Sequence, residues 1–345
     1  MAGKIKTLVV DDSILARKVI IDGLSRYPGI EVVGFAVNAI DAKKKVKQLK
    51  PDVMTLDVQM PGMTGLDFLK QLLPEYPLPV VLVSALNLGV FDALHAGAVD
   101  FVRKPDSDFS TDMFIRTLAA KVREASRAKV KMPAGAASAG AGPGPARLGS
   151  SVKGRVVIGL GASTGGTEAT LEVMKRLPDD IPGMVIVQHM PVGFTQMYAE
   201  RLNKLCRMEV REAKDGDEVR RGLALIAPAD LQCRILRSPL GGYRVSCTQG
   251  PRISGHRPSV DALFHSMANN VRCNMIGIIM TGMGRDGALG LKAMRDKGAF
   301  TIGQDEETCV VYGMPRAAYE IGAVTQQAPC KEIAGTLLSR LRGMR

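Results

Sequence analysis

The sequence predicts an α/β protein of two domains, each built on a mainly parallel sheet. Two observations carry this. Short apolar runs ending in polar residues alternate with amphipathic stretches in both halves, and a segment unable to bury a core separates them. A length of 345 residues is enough for two independent cores.

In the first half, Lys6–Val10 reads as a strand ending in Asp11-Asp12. An amphipathic helix follows, with Leu15, Val19 and Leu24 expected on its buried side. Val53–Leu56 ends in Asp57, Val80–Val83 ends in Ser84, and Asp100–Val102 leads to Lys104-Pro105. Helical stretches at Asp41–Leu49, Asp67–Leu73 and Val90–His95 lie between these strands. Repeated βα units imply a parallel sheet, in which functional groups gather beyond the carboxyl ends of the strands. Asp11, Asp12, Asp57, Ser84 and Lys104 would then share one edge. Any single acidic residue after a strand is an ordinary helix cap. Three carboxylates together repel one another unless a cation holds them, and hard oxygen ligands suit Mg²⁺.

Phe109 to about Lys129 reads as a closing helix, with Phe109, Met113, Leu118 and Val122 facing inward. Residues 132–150, MPAGAASAGAGPGPARLGS, are rich in Ala, Gly, Pro and Ser and read as a flexible tether. The expected domains are therefore 1–128 and 153–345, joined by a linker at 129–152.

The second half opens on RVVIGLGASTGG, a buried strand at Val156–Ile158 running into a glycine-rich turn, with a helix beginning near Thr167. Ser163 sits within that turn in a G-x-S-x-G pattern, where small neighbours expose a hydroxyl and nearby amides favour negative charge. Alone this pattern is weak, because such turns also hold phosphates. Gly159-Leu160-Gly161 even begins like a dinucleotide fingerprint, although Thr164 occupies the third glycine position. Met184–Val187 runs into Gln188-His189, and Met275–Met280 runs into a loop containing Asp286. Parallel strands would bring Ser163, His189 and Asp286 to one edge as nucleophile, base and orienting acid. Their chain order matches none of the α/β-hydrolase, chymotrypsin or subtilisin orders. His256, in a loop before the expected helix Val260–Ala268, competes with His189 for the role of base.

The formal charge is +12. Residues 1–126 carry 16 Lys/Arg against 15 Asp/Glu, whereas residues 127–153 carry five against none and 154–345 carry 25 against 19. That excess favours an acidic partner, though a solvated basic surface accounts for it equally well. No zinc-finger spacing or aromatic RNA-binding run points to nucleic acid. The six cysteines show no C-x-x-C pair and read as free thiols of a reduced cytoplasm. No stretch reads as a signal peptide or approaches the length of a membrane-spanning helix.

The segments VVDDS (9–13), LDVQMPGMTGLD (56–67), VSA (83–85) and KP (104–105) closely resemble the receiver domain of response regulators. The resemblance implies a flavodoxin-like doubly wound domain with Asp57 as phosphoryl acceptor. Asp11, Asp12 and Asp57 would bind Mg²⁺ with the Gln59 carbonyl, while Ser84 and Lys104 would contact the phosphoryl group. Phe101 stands where the family has a switching aromatic residue. In the second half, GASTGGTEA (161–169), QHMP (188–191), SGHRPSVDALF (254–264), TGMGRDGA (281–288) and VYGMPRAA (311–318) resemble the chemotaxis protein-glutamate methylesterases of the CheB family. That resemblance implies Ser163 as nucleophile, His189 as base, Asp286 as its partner and the Met283 amide in an oxyanion hole. It makes His256 and Arg257 substrate-side candidates. It also implies ester hydrolysis and glutamine deamidation on chemoreceptors, with no cofactor at Ser163, a chemotaxis histidine kinase as phosphodonor, and no nucleic-acid partner or membrane insertion. An unphosphorylated receiver is expected to restrain the Ser163 site, and phosphorylation at Asp57 to release it.

Overall fold

The computed structural model describes residues 3–85, 89–106, 110–130, 147–149 and 155–344. They fall into two compact units, Met1–Ser138 and Ala139–Arg345. Most of the expected tether, and Phe109, lie outside the described residues.

The first unit runs β1 (Ile5–Val10), α1 (Ile14–Ser25), β2 (Ile30–Ala36), α2 (Ala39–Leu49), β3 (Val53–Asp57), α3 (Gly65–Leu72), β4 (Val80–Ser84), α4 (Gly89–His95), β5 (Asp100–Arg103) and α5 (Thr111–Ala125). The strands form one parallel sheet in the order β2-β1-β3-β4-β5. This is the doubly wound, flavodoxin-like order, with its switch point between β1 and β3. The strand β2 lacks a run of fully buried residues and pairs only with β1 at the sheet edge, which is why its apolar signal is weak. Ser13 caps α1 by accepting from the Ala16 amide at 3.3 Å.

The inward face of α1 differs from expectation. Leu15 is 73% exposed, and the buried stripe is Arg17, Ile20 and Leu24. Leu15 lies in the first turn, at the end of the helix where the polar loop residues emerge. Arg17 is buried because its guanidinium donates to the Asp11 and Asp12 carbonyls at 2.7 and 2.8 Å. In α5, Leu118 and Val122 are buried with Phe114 and Ile115, while Met113 faces outward.

The second unit comprises β6 (Val156–Ala162), α6 (Gly166–Met174), β7 (Met184–Gln188), α7 (Phe194–Leu205), β8 (Glu209–Glu212), β9 (Leu223–Ile226), β10 (Gln232–Arg237), β11 (Tyr243–Thr248), α8 (Val260–Asn270), β12 (Asn274–Ile279), α9 (Ala288–Asp296), β13 (Phe300–Gln304), α10 (Met314–Glu320), β14 (Gln326–Ala328) and α11 (Cys330–Gly343). Seven strands form a parallel sheet in the order β14-β13-β12-β6-β7-β9-β8, and β10 and β11 form a separate antiparallel hairpin. Every residue of β6 and β7 is buried, as continuous apolar runs in a sheet covered on both faces should be.

The glycines of β6 and β12 serve this packing. A Cβ on Gly159 would lie 2.6 Å from Met267 Sδ, and one on Gly161 would collide with Val260, both residues of α8. On β12, a Cβ on Gly277 would lie 2.5 Å from Leu291 of α9. These glycines let the helices approach the sheet closely, so Gly159 and Gly161 act as a seat for α8 rather than as the start of a dinucleotide loop. Among the described residues, no helix is long and apolar enough to cross a membrane.

Gly161→Ala should therefore destabilise this unit by about 1–3 kcal/mol through overpacking against Val260. The check is a lowered urea midpoint with an unchanged m-value; an unaltered midpoint would show that α8 can withdraw freely.

Candidate functional site

Strand register brings the second unit's polar residues together. Ala162 pairs with Gln188 across β6 and β7, so Ser163 and His189 leave adjacent strands at the same level. Adjacent strands lie roughly 4.8 Å apart, close enough for neighbouring side chains to meet. On the other side of β6, the Met280 amide donates to Gly161 and the Ser163 amide donates to the Thr281 carbonyl at 3.0 Å. The chain after β12 thus runs alongside the serine before reaching Asp286. Gly282 makes this close passage possible: a Cβ there would sit 2.8 Å from Ser163 Cβ and would strike Met314. All three predicted residues emerge at one edge, where β6 is flanked by β7 and β12 and the topology reverses direction.

His189 Nε2 lies 2.9 Å from Asp286 Oδ2, with the two side chains only 7% and 1% exposed. Asp286 is surrounded by donors. Oδ2 also accepts from the Val260 amide at 2.7 Å, and Oδ1 accepts from Ser259 Oγ at 2.7 Å and the Asp261 amide at 3.1 Å. Two of these donors belong to the free N-terminus of α8, where backbone amides favour an anion. Burial works to raise the Asp286 pKa, but hydrogen bonds from His189, Ser259 and Val260 outweigh it and hold the carboxyl at about 2.

With Nε2 committed to the carboxylate, Nδ1 is the ring nitrogen left as acceptor, and it is buried with no hydrogen-bond partner among the described residues. The Ser163 backbone is fixed on several sides. Its carbonyl accepts from the Gly166 amide at 2.7 Å and from Gln188 Nε2 at 2.8 Å. Gly165 supplies the turn with φ of 74°, a conformation that favours glycine. Thr281 Oγ1 donates to the Thr164 carbonyl at 3.0 Å, and the Thr281 amide donates to Gln304 Oε1 at 2.8 Å. Met283 sits half-buried between Gly282 and Gly284 in the same loop.

His256 and Arg257 lie on the loop before α8. The His256 ring stacks on His189 with centroids 3.7 Å apart and planes 5° from parallel. Arg257 is held by Asp230, with Nε at 3.0 Å and Nη2 at 2.6 Å from Oδ1, and donates to the Gly250 carbonyl at 2.8 Å. Sequence reasoning missed Ser259, Gln188, Thr281 and Gln304. Gln188, Ser259 and Thr281 stood inside quoted motifs without being singled out, and Ser259 is also the cap of α8, accepting from Ala262.

The first unit gathers its polar groups by the same logic. Val10 pairs with Leu56, so Asp11 and Asp57 end neighbouring strands, and Lys104 follows β5 with its amide donating to Ser84. Ligand oxygens of Asp11, Asp12 and Asp57 lie within 4.8 Å of one another; Asp11 and Asp57 are buried, whereas Asp12 is exposed. Lys104 Nζ reaches Asp57 at 2.6 Å and Asp11 at 3.0 Å. Burial raises the Asp57 pKa despite Lys104 and the Gln59 amide. Burial opposes the Lys104 charge, yet both aspartates keep its pKa above the usual value. Ser84 Oγ is buried with no hydrogen-bond partner among the described residues. One lysine does not balance three carboxylates, and the all-oxygen donor set fits a hard divalent cation. Phe101 is buried and meets Phe91 edge-on at 6.4 Å.

Fold and comparisons together define a two-domain α/β hydrolase whose N-terminal unit is a receiver. Residues 7–111 match the response regulator receiver domain, and residues 158–337 match the CheB methylesterase domain. The chain is 51% identical to protein-glutamate methylesterase/protein-glutamine glutaminase 2 of Syntrophomonas wolfei, over 97% of both chains. It is 42% identical to the protein-glutamate methylesterase/protein-glutamine glutaminase of Salmonella typhimurium, over 98% of this chain and 97% of that one. The solved CheB methylesterase catalytic domain of Thermotoga maritima matches 55% of this chain and all of its own length, with 35% identity and a TM-score of 0.52. The chain belongs to the CheB methylesterase family.

A folded-state pKa below the usual 3.8 means that ionised Asp286 stabilises the fold fully above that value and ceases to do so as pH falls through about 2. In urea titrations the stability advantage of wild type over Asp286→Asn should be on the order of 2 kcal/mol near neutrality and shrink below about pH 4. A gap that stays constant down to about pH 2 would contradict the hydrogen-bonded, ionised carboxylate.

Proposed function

We propose that this protein is a phosphorylation-controlled serine hydrolase that removes methyl esters from chemoreceptor glutamates, releasing methanol, and deamidates receptor glutamines during chemotaxis adaptation. The observation that carries this reading is the buried His189–Asp286 pair, whose Nδ1 has no hydrogen-bond partner among the described residues and whose histidine follows β7 at the level where Ser163 follows β6. Ser163 Oγ attacks the γ-acyl carbon and its proton passes to His189 Nδ1. Asp286 holds Nε2–H and stabilises the imidazolium that forms. The Met283 amide receives the developing oxyanion. Collapse of the tetrahedral intermediate breaks the bond to methoxide or amide nitrogen, which leaves as methanol or ammonia after taking the proton from His189. Water then attacks the acyl-serine, again giving His189 its proton, and glutamate departs as Ser163 is restored. His256 and Arg257 border this site on the substrate side.

Control rests on the receiver. Asp57 accepts the phosphoryl group from a chemotaxis histidine kinase, and Ser84 and Lys104 contact it. Asp11, Asp12 and Asp57, with the Gln59 carbonyl, would hold Mg²⁺, which supplies charge neutralisation to phosphoryl transfer. The buried Ser84 hydroxyl, which has no hydrogen-bond partner among the described residues, and the lysine shared between two aspartates support this arrangement. An unphosphorylated receiver restrains the Ser163 site, and phosphorylation shifts the population towards an active form. Such an enzyme works in the cytoplasm, where the methylated receptor helices lie.

Methanol release from methylated receptor membranes tests both parts. Ser163→Ala should reduce it by at least about 10³-fold. A small acyl phosphate with Mg²⁺ should raise wild-type release severalfold and leave Asp57→Asn unchanged. Release that persists in Ser163→Ala would overturn the esterase assignment, and equal stimulation of Asp57→Asn would overturn the switch.

A further inference from the structure

We infer that His256 is a positioning residue for His189, acting through ring stacking; this rests on the reading of His189 as the base for Ser163. A hydrogen bond at Nε2 fixes where one ring nitrogen sits, but hydrogen bonds tolerate tens of degrees of misalignment. The ring can still tilt about the line from Nε2 to Asp286, and that tilt swings Nδ1 away from the serine. A second flat ring lying 3.7 Å away and 5° from parallel opposes this motion. The carboxylate sets the ring's direction, and the stack sets its plane.

The loop that presents His256 is built to hold it still. Ile253 and His256 exchange backbone hydrogen bonds at 3.0 and 2.9 Å, closing a two-residue turn. Ser254 and Gly255, with φ of 52° and 84°, supply the paired positive angles that such a tight turn requires. The His256 carbonyl accepts from Gln232 Nε2 at 3.1 Å, and Gln232 Oε1 accepts from the Ser259 amide at 3.0 Å. Arg257 ties the next residue to Asp230 and Gly250, and the Asp230 amide returns a bond to the Arg257 carbonyl at 3.2 Å. One segment thus carries both supports of the base: His256 against the ring, and Ser259 against the carboxylate that orients it.

The experiment compares His256→Ala and His256→Phe in the full-length protein. It measures kcat and KM for methanol release, and the rate at which a fluorophosphonate labels Ser163. Labelling forms the Oγ–P bond, expels fluoride and sends the serine proton to His189, so it reports on the base without the receptor. His256→Ala should lower kcat and the labelling rate together by about 10- to 100-fold with KM nearly constant, the size expected for a misaligned reacting group. His256→Phe, which keeps a flat ring and no titratable nitrogen, should recover most of both, to within about threefold of wild type, because offset-stacked rings attract one another. Thermal melts separate misalignment from unfolding, and the phenylalanine variant decides the question if the alanine variant is unstable. A raised KM with unchanged kcat would make His256 a substrate contact and overturn the inference. Phenylalanine doing no better than alanine would overturn it too, by showing that the imidazole nitrogens are needed. Wild-type labelling of Ser163 without Ser163-dependent methanol release would instead point to failure of the receptor-esterase reading and leave the labelling test of His256 in force.

Discussion

The carboxylate of Asp286 is the point on which the second unit's site depends. It accepts four hydrogen bonds from three parts of the chain: the end of β7 through His189, the cap of α8 through Ser259, and the first turn of α8 through two amides. A buried charge is tolerable only when so fully satisfied. The same satisfaction locks the loop after β12 to α8, and α8 is seated on β6 by glycines that allow close approach. Strand, helix and imidazole are therefore mutually fixed, and the serine turn is clamped among them by Gln188 and Thr281. The same carboxylate that joins the loop after β12 to α8 thus also fixes the His189 ring.

Both units use one topological rule for different chemistry. In each, adjacent parallel strands deliver polar residues to the sheet's carboxyl edge at matched levels. In the first unit, β1 and β3 deliver aspartates and β5 delivers a lysine, which makes an acidic cluster suited to a divalent cation. In the second, β6 and β7 deliver a hydroxyl and an imidazole, with the carboxylate following β12. What differs is the residue placed just after the strand, together with the second layer that tunes it. Burial raises the Asp57 pKa, whereas a helix terminus and an imidazole lower that of Asp286.

Much of this was legible from sequence because the central strands are continuous apolar runs with polar ends. Ser163, His189, Asp286 and the receiver aspartates were all singled out by that signal, and each lies at a strand end or in the loop that follows one. The edge strand β5 was read, but β2, β8 and β14, which are short or only partly buried, were not, nor were β9 and β13 inside the second sheet; the hairpin strands β10 and β11 alternate without a long apolar run. The inward face of α1 was misjudged because a buried arginine, satisfied by two carbonyls, occupies a position where hydrophobicity alone would seek a leucine. Ser259 escaped notice because its contact with Asp286 joins residues 27 apart in sequence, and no local pattern encodes such a contact.

The choice of ring nitrogen has a mechanical consequence. Nδ1 is bonded to the ring carbon that carries Cβ, so it sits nearer the main chain than Nε2 does. A base that accepts through Nδ1 works on a short lever arm: rotations of the side chain translate into small displacements of the accepting atom. For the proposed base, the stiffness of β7 would thereby be passed almost undiminished to the accepting atom. The same shortness removes reach, so such a base could not follow a serine that drifts. Precision in this site is held by the sheet, and a one-residue slip between β6 and β7 is an error that no side-chain adjustment can repair.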